Sequence, residues 1–185
     1  MPRAFVAIDI DEEVRNRIVA AQEQLGATGA DLKLVEPPNI HVTMKFLGDV
    51  PDKKLGEITE ALTRGATGTD KFDIGVKGIG VFPNLNYIRV IWAGVDEGKD
   101  ELVELQRKIE GELEKAGFRR EGSFVPHLTI ARVRTARQKD KLASFVNEMS
   151  SAEFGVTRSL AVELKQSTLT PKGPIYSTLA NIKLG

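Results

Sequence analysis

Apolar positions along this chain follow two rhythms, and their alternation lays out its elements. Residues 4–10 (AFVAIDI) form an apolar run of strand length and predict a buried strand. Asp11 then stands at a plausible helix N-cap, and Val14, Ile18, Ala21 and Leu25 fall at helical spacing before Gly26 stops the pattern. Residues 32–36 and 40–47 read as strands, separated by Glu36-Pro37-Pro38-Asn39, a turn that cannot stay helical. A second helix is predicted from Pro51-Asp52 through Leu55, Ile58, Ala61 and Leu62. Residues 72–82 and 87–95 read as a hairpin around Phe82–Asn86.

The order then recurs. Leu102, Leu105, Ile109 and Leu113 give a helix over 99–116 that ends at Gly117. A strand over 125–133, a helix around 136–149 and a hairpin from 155–169 to 175–183 follow, with Thr170–Pro174 as its turn. Pro38–Met44 (PNIHVTM) lines up with Phe124–Ile130 (FVPHLTI), and the strand at 87–95 closes the first half and opens the second. The pattern predicts an internal duplication: one domain over 1–185, of α+β class, made of two related lobes. Any α+β chain alternates helices and strands; the matched His-x-Thr in each half is what points further.

Composition narrows the function classes. With 26 basic and 26 acidic residues the formal charge is zero, which argues against coating long nucleic acid by charge alone. A small, locally positive pocket for one or two phosphates remains compatible with that balance. There is no cysteine, hence no disulfide or thiol chemistry. The start, MPRAFVAIDIDEE, lacks the length and flanks of a signal peptide, and no window approaches a membrane span. The expectation is a soluble, cytoplasmic protein without a membrane partner.

The chemistry concentrates in the only two histidines, His41 and His127, each followed two residues later by a threonine, Thr43 and Thr129. On a strand, residues i and i+2 share a face, so each motif offers an imidazole beside a hydroxyl. With the lobes related by a pseudo-twofold axis, the two pairs face each other across a cleft. Imidazole, with an ordinary pKa of about 6.5, can be neutral in one copy and protonated in the other near pH 7. Both apparent pKa values are expected within a unit or two of that figure. The neutral ring takes a proton from an attacking water or hydroxyl. The charged ring gives one to a departing ribose oxygen, and the hydroxyls steady non-bridging phosphate oxygens. Such a pair needs no metal and no cofactor.

Other readings of the histidines are a structural role, a zinc site and a Ser-His-Asp triad. No HxxxH or similar ligand spacing and no G-x-S-x-G occur. Gly75, Gly78 and Gly80 lie in a strand-rich stretch with no helix after it, which is no dinucleotide fingerprint; they mark a bulge or a close backbone approach.

The stretches His41–Gly48 (HVTMKFLG) and Pro126–Arg132 (PHLTIAR) resemble the paired HxTx signatures of the two-histidine phosphoesterases. Arg3–Ile8, Gly80–Pro83, Arg89–Val95 and Ser167–Tyr176 resemble the branch named 2′-5′ RNA ligase or RNA 2′,3′-cyclic phosphodiesterase, so the likeness spans essentially the whole chain. The resemblance implies a bilobal fold, two pseudo-symmetric lobes of antiparallel sheet with outer helices, and HxTx strands 41–44 and 127–130 lining a central cleft. It implies metal-independent opening of a terminal 2′,3′-cyclic phosphate on RNA to a 2′-phosphomonoester. His41 would be the proton donor to O3′ and His127 the proton acceptor from water; spacing alone does not choose between these roles. Run with a ribose 5′-hydroxyl, the same geometry would join RNA ends without ATP. Partners implied are RNA ends, tRNA halves among them, with the chain as a monomer.

Further residues are candidates of lesser weight. Strict alternation puts Lys45 on the His41–Thr43 face, where it adds positive potential or is merely a solvated strand-end cation. Arg132 matches a family arginine and would hold the phosphate through two parallel hydrogen bonds. Alternation places it opposite His127, so a bulge or strand end is required there. Phe5 and Tyr176 either stack on a base or, as strand aromatics more often do, belong to the core. Two functional rivals stay open: a phosphodiesterase on a small cyclic phosphate (a mononucleotide or an ADP-ribose derivative), and a module that binds RNA ends without turnover.

Overall fold

The computed structural model describes all residues, 1–185. Nine strands and four helices follow in the order β1 (Arg3–Ile8), α1 (Glu12–Gly26), β2 (Leu32–Leu34), β3 (Val42–Asp49), α2 (Leu55–Ala66), β4 (Phe72–Asn84) and β5 (Tyr87–Val95). Then come α3 (Lys99–Lys115), β6 (His127–Val133), α4 (Lys139–Glu148), β7 (Glu153–Ser159), β8 (Ala161–Thr170) and β9 (Gly173–Lys183). The helices form where the sequence spacing placed them. Val14, Ile18, Ala21 and Leu25 line the buried stripe of α1, and Leu102, Leu105, Ile109 and Leu113 that of α3. Each such valine, leucine or isoleucine stabilises the fold by about 1.5–3 kcal/mol through the apolar area it removes from water. Asp11 does occupy the N-cap of α1, but its side chain makes no capping bond. Glu12 and Glu13 complement the helix dipole instead.

Two antiparallel sheets result, ordered β3-β1-β8-β9 and β2-β6-β5-β4-β7. The expected long hairpin strand over 155–169 is two strands. The chain leaves the five-stranded sheet after β7, and β8 enters the four-stranded one beside β1. A strand pattern shows which residues extend; it does not show which sheet receives them. Likewise β4 and β5 both join the sheet that carries His127, so each sheet draws strands from both sequence halves. α1, from the first half, packs behind β6 and β7, while α3, from the second, packs behind β3 and against α2. A single cluster of 36 buried apolar residues runs through both sheets, so neither has a separate core. No helix is long and apolar enough to cross a membrane.

The decisive local feature is a bulge in each histidine strand. Pairing of β1 with β3 steps from Val6↔Lys45 to Ala7↔Thr43, leaving Met44 as the extra residue. Pairing of β5 with β6 steps from Ile91↔Ala131 to Trp92↔Thr129, leaving Ile130 extra. Two consecutive residues therefore face the core in each strand, Met44-Lys45 and Ile130-Ala131, and all four are buried. Buried amides hold both kinks from behind. Gln22 of α1 donates to the Ile130 carbonyl at 2.9 Å, and Gln106 of α3 reaches the Met44 carbonyl at 3.4 Å.

Lys45 is thus not a cleft residue, contrary to strict alternation. The bulge turns it inward, where it pairs with Glu110 of α3 at 2.6 Å and donates to the Arg119 carbonyl at 2.9 Å. The same bulge moves Phe46 to the His41–Thr43 face. Its counterpart in β6 returns Arg132 to the His127–Thr129 face, as the resemblance requires.

Candidate active site

β3 and β6 lie against each other where the two sheets meet, which brings the two His-x-Thr motifs together. Each imidazole is set by the backbone two residues upstream. His127 Nδ1 lies 2.7 Å from the Val125 carbonyl, a contact that needs an N–H on Nδ1 and leaves Nε2 as the working nitrogen. The Asn39 carbonyl plays the matching part for His41, whose Nε2 is 2.9 Å from the Thr43 hydroxyl. The two rings differ in their surroundings.

His41 is the enclosed one. Phe5 stacks on it at 5.2 Å between ring centroids and 19° between planes, and Tyr176 approaches at 5.4 Å. Burial, followed by the nearby Lys165 ammonium and then Arg15, pulls its pKa down to about 4; Asp9 and the Asn39 carbonyl act the other way. This lies below the range expected from an ordinary imidazole, because the sequence could not show that the ring is packed between aromatics. His41 also becomes a stability switch. Unfolded, it binds a proton near pH 6.5; folded, only near pH 4, so between these values the unfolded chain holds more protons. The contribution is complete above about pH 6.5 and is lost as pH falls through 4, about 3 kcal/mol in all. Urea titrations at pH 7 and 4.5 test this: His41→Gln should lose that part of the pH dependence, and an unchanged difference would refute the assignment.

The turn that delivers His41 is clamped by Arg15, a residue that no motif or spacing along the chain singles out. Its guanidinium is buried on α1, pairs with Asp9 at 2.8 Å and with Glu12, and donates to the carbonyls of Pro37 at 2.8 Å and Ile40 at 3.3 Å. Asn39 in turn donates to the Pro174 carbonyl at 2.9 Å, fastening the β8–β9 hairpin that carries Tyr176.

His127 is more open and sits among different aromatics. Phe82 meets it edge-on at 5.0 Å and Trp92 lies 6.1 Å away. Trp92 lies flat on Gly80, where an added Cβ would come within 2.2 Å of the indole. The close backbone approach expected of the glycine cluster is found there, and the bulge at Gly78, which has φ +80°.

Phe5 is 3% exposed and serves as the floor beneath His41, so it is not free to stack on a base. Tyr176 is half-buried, its phenol held above its ordinary pKa by burial while Arg132 pulls the other way, which places the guanidinium near the ring from the opposite sheet. The structure therefore gathers His41, Thr43, Phe5 and Tyr176 on one wall and His127, Thr129 and Arg132 on the other, and removes Lys45. Phe46, Phe82, Trp92 and Lys165 complete the walls and were missed. Trp92 stands across a ladder from Thr129, and Phe46 and Lys165 flank Phe5 across its two ladders, so finding them requires the pairing register.

Comparison with known proteins bears on this geometry. The family model described as LigT like phosphoesterase matches residues 8–92 and 94–176. A protein of Methanothermobacter thermautotrophicus named RNA 2′,3′-cyclic phosphodiesterase is 44% identical over 182 residues, 98% of each chain. A protein of the same name from Thermotoga maritima is 39% identical over 96% of this chain and 92% of its own. A solved structure from Thermus thermophilus superposes with a TM-score of 0.81 at 27% identity, over 98% of this chain and 97% of that one. E. coli LigT complexed with 3′-AMP has the same fold, with a TM-score of 0.81 at 22% identity over 99% and 98% of the chains. Two curled sheets, a His-x-Thr at matching places in each, and a family match that takes in both motifs identify this chain as a member of the LigT-like phosphoesterases.

Proposed function

We propose that the protein hydrolyses the terminal 2′,3′-cyclic phosphate of RNA to a 2′-phosphomonoester, the activity for which its relatives are named. The observation that carries this reading is the paired imidazole geometry: two His-x-Thr strands packed against each other, with His127 Nδ1 on the Val125 carbonyl and His41 Nε2 beside the Thr43 hydroxyl. His127 Nε2 takes a proton from water as the water oxygen bonds to phosphorus. The P–O3′ bond breaks, and His41 Nε2–H gives its proton to O3′. Thr43 and Thr129 donate to the non-bridging oxygens, and Arg132 faces the charge that accumulates there.

The low His41 pKa fits the donor role in a specific way. Its imidazolium is a strong acid, and the arriving phosphate anion offsets the burial that disfavours the cation. With a ribose 5′-hydroxyl in the place of water, the same path would form a 2′-5′ linkage. The working unit in this reading is a monomer, with RNA ends, tRNA halves among them, as substrate. The two matched stretches on either side of residue 93 support the duplication.

An oligonucleotide ending in a 2′,3′-cyclic phosphate, supplied in excess in the presence of EDTA, tests the proposal. Repeated turnover to a 2′-phosphate at an undiminished rate is expected. A 3′-phosphate product, or activity lost to EDTA and restored by zinc or magnesium, would sink it. Binding without turnover would leave only the rival reading of an RNA-end binder.

A further inference from the structure

β8 carries a cation that the chemistry above does not use. Lys165 lies opposite Phe5 across the β1–β8 ladder and opposite Thr178 across β8–β9. Directly paired residues of adjacent strands project to the same side, so Lys165 shares the face on which Phe5 supports His41. Its side chain is only 12% exposed, yet its ammonium makes no hydrogen bond to any protein atom. The Glu163 carboxylate oxygen is 3.8 Å away and already accepts the Thr178 hydroxyl at 2.9 Å.

Lys45 shows how this fold treats a lysine that it means to bury: one carboxylate at 2.6 Å and one carbonyl at 2.9 Å. Several outer cations are paired as well. Around a concavity of about 250 Å³ between α2 and α3, Arg64 and Lys115 pair with Glu112, Arg107 with Glu104, and Arg120 with Glu114. Among the largely buried cations, Arg15 and Lys45 have close carboxylates and Lys165 is the exception, an unfavourable one. A largely buried ammonium with a single loose partner is costly. Placed beside His41 it also opposes the protonation that the acid role needs. Both costs are offset by one thing, an anion lying between the two groups.

We propose that Lys165 is a phosphate-binding residue of the cleft, donating to a non-bridging oxygen from the four-stranded sheet while Arg132 reaches the same anion from the five-stranded one. The inference rests on reading the cleft as a phosphodiester site, and it names phosphate mono- and diesters as the ligand class. Phosphate binding also raises the proton affinity of His41, so substrate entry itself loads the acid. The charged groups facing His41 on this side are Asp9, Arg15, Lys165 and Glu163.

The test is an NMR titration of the full chain with inorganic phosphate and with adenosine 2′-monophosphate. Lys165→Met should weaken both by about ten- to a hundredfold, as the loss of a charge-assisted hydrogen bond does. Lys165→Arg should stay within a few-fold of the native protein. In the free protein, Lys165→Met should also move the His41 titration up from about 4, which a role in packing alone would not do. Should the methionine variant fail to fold, Lys165→Gln carries the same comparison against Lys165→Arg. Phosphate affinity within twofold of native in a folded Lys165→Met or Lys165→Gln protein overturns the proposal, as does absence of phosphate binding in the native protein. Binding that depends on Lys165 in a protein without turnover would overturn the hydrolase reading and leave this one standing.

Discussion

His41→Ala and His127→Ala each lower kcat by roughly 10²–10⁴, the usual contribution of a positioned acid or base. The double variant should fall far short of the product of the two losses, because a proton donor and acceptor acting in one step fail together. The pH profile separates the roles. kcat/KM is bell-shaped, falling where the pair holds two protons and again where it holds none, and the two limbs belong to the coupled pair. The lowered His41 value places the acid limb near pH 4. Without His41 only a neutral base is needed, so the alkaline limb disappears; without His127 only a protonated acid is needed, so the acid limb disappears. A His127 variant that keeps its acid limb and loses the alkaline one would mean that the roles are exchanged.

The second large effect is on stability. Lys45→Ala and Glu110→Ala each leave a buried, unpaired charge and should cost about 3–5 kcal/mol, read from urea midpoints at constant m-value. Lys45→Met combined with Glu110→Leu should recover most of that loss, since a buried ion pair contributes little over apolar groups of similar volume. The pair also has a task in the site. Lys45 holds the Arg119 carbonyl and Glu110 accepts the Glu121 N–H at 3.1 Å, so both tie down the loop that leads into His127. The double variant should therefore be stable yet slower than the native protein. Single variants as stable as native would mean that the charges are not buried as a pair.

Much of this was open to reading along the chain. Helical spacing of Val14, Ile18, Ala21 and Leu25 places α1 because each of these residues meets the core through its own period, whatever lies opposite. His41 with Thr43, and His127 with Thr129, share faces because two residues of extended chain always do. These are local rules, and they hold over two or three residues without knowledge of the partner strand.

They failed at the third step. Lys45 by alternation belongs in the cleft and Arg132 outside it, and both are reversed by bulges at Met44 and Ile130. Nothing in either strand announces these bulges. They are held by Gln22 and Gln106, which arrive on helices from the other half of the chain. The same holds for the split at Leu160, which sends β8 to another sheet, and for the neighbours of His41. Phe5, Lys165 and Tyr176 are far apart in sequence and meet only across ladders. The sequence by itself determined that two imidazole–hydroxyl pairs exist and share faces, because their identity and their i, i+2 spacing are covalent facts. The tertiary structure alone decided which cations share the faces of the two histidines and how acidic His41 is. Both depend on register, burial and charge brought in from distant segments.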